Sequence, residues 1–166
     1  MIAKSYIDDN LRQLERLYNK SQNIQKSLFY SKLAILELCG WVEVSMDDIV
    51  RRHAKRILKQ QQNLEYIEKE VIKKTAGFEY EFHFRRMLIA VIGLKGMECL
   101  EKVVDPNYFG PMVGVLKSLK RYRNIEAHEY IKGTTRNIDA PSVTRQNFSI
   151  IYKGLKNIET ELRRMK

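Results

Sequence analysis

"LFYSKLAILELCGWVEVSMDDIVRRHAKRI", residues 28 to 57, is the longest stretch of the chain that keeps one pattern. Apolar side chains recur at Leu28, Ile35, Leu38, Trp41, Val42, Ile49 and Ile57, with no proline between them. Spacings of three, four and seven gather them on one side of an α-helix. The pattern admits a bend at Ser45-Met46-Asp47-Asp48, or a second helix capped there by Ser45.

The same period extends outward. Residues 5 to 22 carry Tyr6, Leu11, Leu14, Leu17 and Tyr18 at helical spacing, and a short charged helix is expected over 63 to 74. It ends near "TAGFEY", where Gly77 supplies a break. A fourth helix covers about 79 to 103, with an apolar centre from Met87 to Leu94. "DPNYFGP" (105 to 111) has turn composition and reads as a loop. A fifth helix starts near Pro111 and runs to about Ile131. "KGTTRNIDAPS" (132 to 142) is a second loop. The last helix, 143 to 165, carries Phe148, Ile151, Leu155, Ile158 and Leu162. There is no internal repeat and no linker. The expectation is an all-α, single-domain bundle of five to six helices spanning 1 to 166.

The chain has 166 residues, is 44% hydrophobic and carries a formal net charge of +10. It has enough apolar material for a core, and its charge favours an anionic partner such as RNA, DNA or an acidic protein. The two cysteines, Cys39 and Cys99, are far apart in apolar stretches and read as small buried hydrophobes in a reducing compartment. No cysteine or histidine cluster suggests zinc, and no cofactor fingerprint is present. The early charges argue against a signal peptide, and "MLIAVIGL" (87 to 94) is too short to span a bilayer. A soluble, cytoplasmic protein without a membrane partner is expected.

One helical stretch breaks the pattern: "RYRNIEAHEY", residues 121 to 130. On a wheel, Met112, Leu116, Leu119 and Tyr130 fall within about 40° of Arg123, which therefore sits in the apolar stripe. Ala127 lies on that side too. Asn124 and His128 share a neighbouring face, and His128 is about 140° from Arg123, so the two flank a groove. Two readings stand. In the structural one, Arg123 pairs with Glu126 at i,i+3, its stem covers apolar surface, and His128 is an ordinary histidine at a helix end. In the chemical one, the groups cleave RNA. Internal transesterification needs a base for the 2′-OH, a donor for the leaving 5′-oxygen, and positive charge on the phosphate. Imidazole suits the proton transfers. A guanidinium is a permanent forked donor to phosphate oxygens. Asn124 can orient either. This chemistry needs no metal. One helix offers one histidine, so a symmetric dimer that brings two such helices together would supply both acid and base.

"RNIEAH" (123 to 128) resembles the signature of the HEPN superfamily: Arg, a polar residue, a spacer and His near the end of a long helix. "LAILELCGWVEVSMDDIVRR" (33 to 52) is similar to the second helix of these domains, where an acidic residue follows a tryptophan. "KGTTRNIDAPSVT" (132 to 144) resembles the trailing segment of the branch related to RiboL-PSP HEPN proteins. The resemblance covers roughly residues 5 to 164. It implies a dimerising helical bundle with facing motif helices. Many members are metal-independent endoribonucleases in toxin–antitoxin, abortive-infection and antiviral systems, with an antitoxin or defence-system partner. Carried over by position, Arg123 would stabilise the phosphate, Asn124 would help, and His128 would act as acid and base. In one HEPN branch a Tyr two residues after the His is nucleotidylated by a partner antitoxin, which makes Tyr130 a candidate modification site. Its place on the apolar stripe argues instead for a packed tyrosine. Where many family motifs continue into a small residue, this chain has Glu129.

Other basic groups widen the candidate surface. "RRHAKR" (51 to 56) is the densest cluster, and Arg51 and Arg52 are candidate RNA contacts. A solvated helix end is the alternative, with His53 on the surface. Lys120 and Arg121, just before the motif, are candidate auxiliary phosphate contacts. "EFHFRR" (81 to 86) offers base stacking on Phe82 or Phe84, against ordinary core packing. "GLKG" (93 to 96) reads as close helix packing rather than a phosphate loop. A catalytically inactive RNA- or nucleotide-binding module and a dimeric helical adaptor remain as the alternative functions.

Overall fold

The periodic stretch at 28–57 is a single unbroken run of helix in the computed structural model, which describes residues 2–135 and 137–165. This helix, α2 (Ile24–Ile57), starts where Asn23 accepts a hydrogen bond from the Lys26 amide at 3.1 Å. Its 34 residues make a rod about 51 Å long. Ser45 does not cap or bend it; Ser45 and Met46 are buried inside an unbroken helix.

The other helices gather on that rod: α1 (Ser5–Lys20), α3 (Gln61–Tyr66), α4 (Arg85–Val103), α5 (Pro106–His128) and α6 (Pro141–Arg164). Among the described residues all regular structure is helical, as the sequence period requires. No described helix is long and apolar enough to cross a membrane. One continuous core runs through the bundle, with Leu38, Val42, Met46, Phe84, Leu116 and Ile151 fully enclosed. α1 turns Ile7, Leu11 and Leu14 inward, while Tyr6 and Leu17, expected on that face, are exposed. α3 continues into a wider π-helical turn (Ile67–Ile72), and a second π-helical turn (Tyr80–Phe84) leads into α4.

Three sequence expectations change here. The segment 106–111 is helix, not loop, and Asp105 caps it. Asp105 Oδ1 accepts from the Asn107 amide at 2.8 Å, Pro106 fills the first turn, and the Phe109 ring packs edge-on against Tyr80 at 4.8 Å. Turn-forming residues are also helix-starting residues, and composition cannot separate the two roles. The apolar centre of α4 is not fully enclosed: Gly93 takes a positive φ of 69°, the helix breaks there, and Leu94 is 68% exposed. "GLKG" is therefore a break in a helix, not a close helix crossing. Cys99, beyond that break, is exposed, whereas Cys39 is buried.

The close crossing is elsewhere. At Gly154 a Cβ would lie 2.6 Å from the Met112 Cβ, so the Met112 side chain of α5 sits directly on the bare backbone of α6 there. The Asp105 amide donates to Asn157 Oδ1 at 2.9 Å in the same seam. The far end of α6 is fastened by Arg56, which donates to the carbonyls of Arg163 (2.5 Å), Leu162 (2.6 Å) and Met165 (3.1 Å). These are otherwise open carbonyls of a helix C-terminus. Arg56→Met keeps the aliphatic stem and removes the donors; a loss of about 1 kcal/mol in urea unfolding is expected.

Candidate functional site

The motif occupies the last two turns of α5, where the apolar stripe of Met112, Leu116 and Leu119 runs out. After Leu119 the buried side rotates: Glu126 is buried, Arg123 is half-buried, and Ala127 faces solvent. The helix ends at His128, and the Glu129 amide closes it on the Ile125 carbonyl at 3.0 Å. Residues past His128 therefore do not follow the helical wheel. Tyr130, expected to pack on the stripe, is 77% exposed. Asn124 and His128 are also exposed, on the open side of the turn.

Arg123 does not pair with Glu126 in the i,i+3 manner of the structural reading. Its Nη2 lies 3.6 Å from Glu43 Oε1 of α2, and its Nη1 reaches the neighbouring Asn124 Oδ1 at 3.4 Å. Both contacts are long, and the Arg123 side chain keeps 39% of its surface exposed. A carboxylate thus lies beside the guanidinium at ion-pair distance, without a hydrogen bond between them, and the guanidinium is partly open to solvent. Lys32 of α2 donates to the Glu129 carbonyl at 2.6 Å, which fixes the end of α5 against the rod.

The wall behind Arg123 is a single stripe of α2. Cys39, Glu43 and Asp47 follow one another at intervals of four. Burial pushes the Cys39 thiol up to about 12, Arg123 opposes the shift, and Glu43 adds to it. Burial likewise pushes the Asp47 carboxyl up to about 6, countered by Arg51 and reinforced by Glu43, Glu68 and Asp48. At neutral pH Cys39 is therefore an inert thiol. Glu43 is the site residue that motif reasoning passed over. Its signal was present, as the acidic residue two positions after Trp41 and on the same face as Asp47.

The remaining candidates lie apart from this turn. Lys120, one turn before Arg123, forms an ion pair with Glu79. Arg121 is exposed and stacks its guanidinium over the Tyr122 ring, 5.4 Å from the centroid. Arg51 and Arg52 lie about 12 Å or more farther along α2 than Glu43. Arg51 is bound to Glu68 at 2.9 Å and Asp48 at 2.6 Å, and Arg52 reaches Glu159 at 3.2 Å. Most of "RRHAKR" is thus committed to internal contacts. His53, expected on the surface, is buried between α2 and α6; burial and the adjacent Arg56 bring it down to about 4. Of the aromatic candidates, Phe84 is buried and Phe82 is exposed beneath Arg86. Among the described residues no three His, Cys, Asp or Glu side chains converge as a metal-ligand set.

The arrangement places a partly exposed guanidinium, an amide and an imidazole on one exposed helix end, with a carboxylate beside the guanidinium. Such a surface can bind a phosphodiester and exchange protons with it. Comparison of the chain with protein-family models, curated proteins and solved structures gave no match.

Proposed function

We propose that the chain is a metal-independent endoribonuclease of HEPN type, acting as a cytoplasmic homodimer in a toxin or antiviral system. The observation that carries this reading is the placement of Arg123, Asn124 and His128 on the same exposed end of α5, with Glu43 beside Arg123. In the proposed reaction the 2′-oxygen attacks the adjacent phosphorus. One imidazole takes the 2′-hydroxyl proton, and the bond to the 5′-oxygen breaks. A second imidazole, from the facing subunit, delivers a proton to that oxygen. The products are a 2′,3′-cyclic phosphate and a free 5′-hydroxyl. Arg123 holds the phosphate oxygens, and Asn124 sets the position of either group. Tyr130, exposed two residues beyond His128, is open to nucleotidylation by a partner antitoxin.

The test is cleavage of a labelled RNA in EDTA by the wild-type chain and by His128→Ala and Arg123→Ala. Loss of cleavage in both variants supports the site; equal cleavage by all three proteins rejects it. Salt-sensitive RNA binding with no wild-type cleavage would make the chain a binding module instead.

A further inference from the structure

A groove of about 1020 Å³ lies between α1 and α6, away from the wall that holds Arg123. Phe148 and Tyr152 line it, packed with Trp41 in an aromatic cluster whose Trp41–Phe148 centroids are 5.0 Å apart. Lys4 and Lys156 both reach the Tyr152 ring, their ammonium nitrogens 5.2 and 5.9 Å from its centroid. Lys153 stands exposed on the same helix.

The charges in this groove are unequal in kind. Its carboxylates are already engaged: Asp8 and Glu15 by Arg145, and Glu161 by Arg164. Among the described residues Lys4, Lys153 and Lys156 have no carboxylate at ion-pairing distance. The lining counts five cations against three carboxylates, and the excess rests on those lysines. Between them stand hydroxyl and amide groups, including Ser149, Gln146 and Thr160. Side chains of these types are the usual donors to phosphate and sugar oxygens. No aliphatic side chain lines the groove among the described residues, so it offers none of the apolar pockets that anchor a docked peptide helix.

The groove also has a register with the motif. Contacts of Met112 with Gly154 and of Asp105 with Asn157 set α5 and α6 antiparallel. With that direction the chain runs toward the motif along α5 and toward the Pro141 start of α6 together, and Ser142, at that start, is a residue of the groove. From there the groove continues along α6 toward Arg164.

We infer that this groove is a track for the sugar–phosphate backbone of single-stranded RNA, carrying the strand beyond the nucleotides held at Arg123 and His128. Its assignment as a substrate track rests on the endoribonuclease reading; the binding itself does not. Lys4, Lys153 and Lys156 contact phosphates, with Lys4 and Lys156 held beside each other over the Tyr152 ring.

The test is a triple variant, Lys4→Gln, Lys153→Gln and Lys156→Gln, all at exposed positions. The probe is a fluorescein-labelled 2′-O-methyl oligouridylate of about 15 nucleotides, which cannot be cleaved, followed by anisotropy across a salt series. The slope of log affinity against log salt should fall by about 2, at about 0.7 per lost phosphate contact, with at least about tenfold weaker binding at low salt. An unchanged slope and affinity overturns the proposal. So does poly-glutamate displacing the probe as well as unlabelled oligouridylate does, which would assign the groove to an acidic protein. Cleavage of a dinucleoside monophosphate, too short to enter the groove, should be equal in wild type and variant; its loss would mean that the substitutions act at the motif and overturns the track. A wild type that binds the probe through these lysines but cleaves no RNA rejects the motif reading and leaves the groove standing as an RNA site.

Discussion

His128→Ala should lower the rate of RNA cleavage by about a hundred- to ten-thousand-fold, the range of a single positioned acid or base. The loss is expected in the rate constant rather than in binding, because in the proposed reaction the imidazole would move a proton and carry little of the grip on the strand. Arg123→Ala should cost about a hundred- to a thousand-fold, and Arg123→Lys should recover little of it. A lysine is a point charge, whereas a guanidinium can meet two phosphate oxygens in one plane, and Arg123 has Glu43 beside it at 3.6 Å. The double variant should be scarcely slower than the worse of the two single ones, because in the proposed reaction both groups would act on one transition state. A tandem fusion of two chains with one His128→Ala separates composite from independent sites. If each α5 works alone, half the activity survives. If both histidines serve one cleft, the fusion falls close to the double-histidine variant. Initial rates on one labelled RNA in EDTA measure all of these.

How much of this was legible in the sequence depends on the kind of signal each residue carried. Long helices with an uninterrupted period were readable, because burying one face of α2 or α6 requires that spacing whatever the neighbours are. Ends and breaks were less so. Asp105 and Pro106 start a helix with the same residue types that make a turn, and Gly93 breaks α4 within an apolar run where only the backbone angle reveals it. The wheel put Arg123 in the apolar stripe, whereas the structure leaves it half-buried with the buried side turned to Glu126, and the wheel also assumed that the helix continued. The chain leaves the helix after His128, so Tyr130 lost the packing predicted for it. The partner of Arg123 lies 80 positions earlier in the chain, as Glu43, and no local spacing rule points across that distance. His53 and Cys99 exchanged their expected surroundings for the same reason: which helix covers which face is decided by the assembly of the bundle.

That assembly leaves one buried and one half-buried titrating group on α2, His53 and Asp47, whose effects on stability oppose each other. His53 is held down at about 4, below its ordinary 6.5, by burial and then by Arg56. The unfolded chain therefore takes up that proton before the folded one. The stability is present above pH 6.5 and is lost as the pH falls toward 4, amounting to about 3 kcal/mol. Asp47 is held up at about 6, above its ordinary 3.8, chiefly by burial, with Arg51 opposing and Glu43 reinforcing. Here the folded chain keeps the proton longer. Its contribution is fully present below pH 3.8 and is lost as the pH rises through 6, about 2 kcal/mol after allowance for the half-buried carboxyl. Between pH 4 and 6 the two slopes have opposite signs, so these groups together give a nearly level profile. Single substitutions should separate them. Asp47→Asn should be more stable than wild type at pH 7 and lose stability steeply on acidification. His53→Gln should instead lose less stability than wild type as the pH drops from 6.5 to 4, because the cost of protonating His53 is gone while Asp47 and the carboxylates held down by their partners, Glu68, Glu101 and Glu159, still titrate. Urea midpoints at pH 4, 5 and 6.5 for the three proteins measure this. Parallel profiles for both variants would mean that neither group carries the burial described for it.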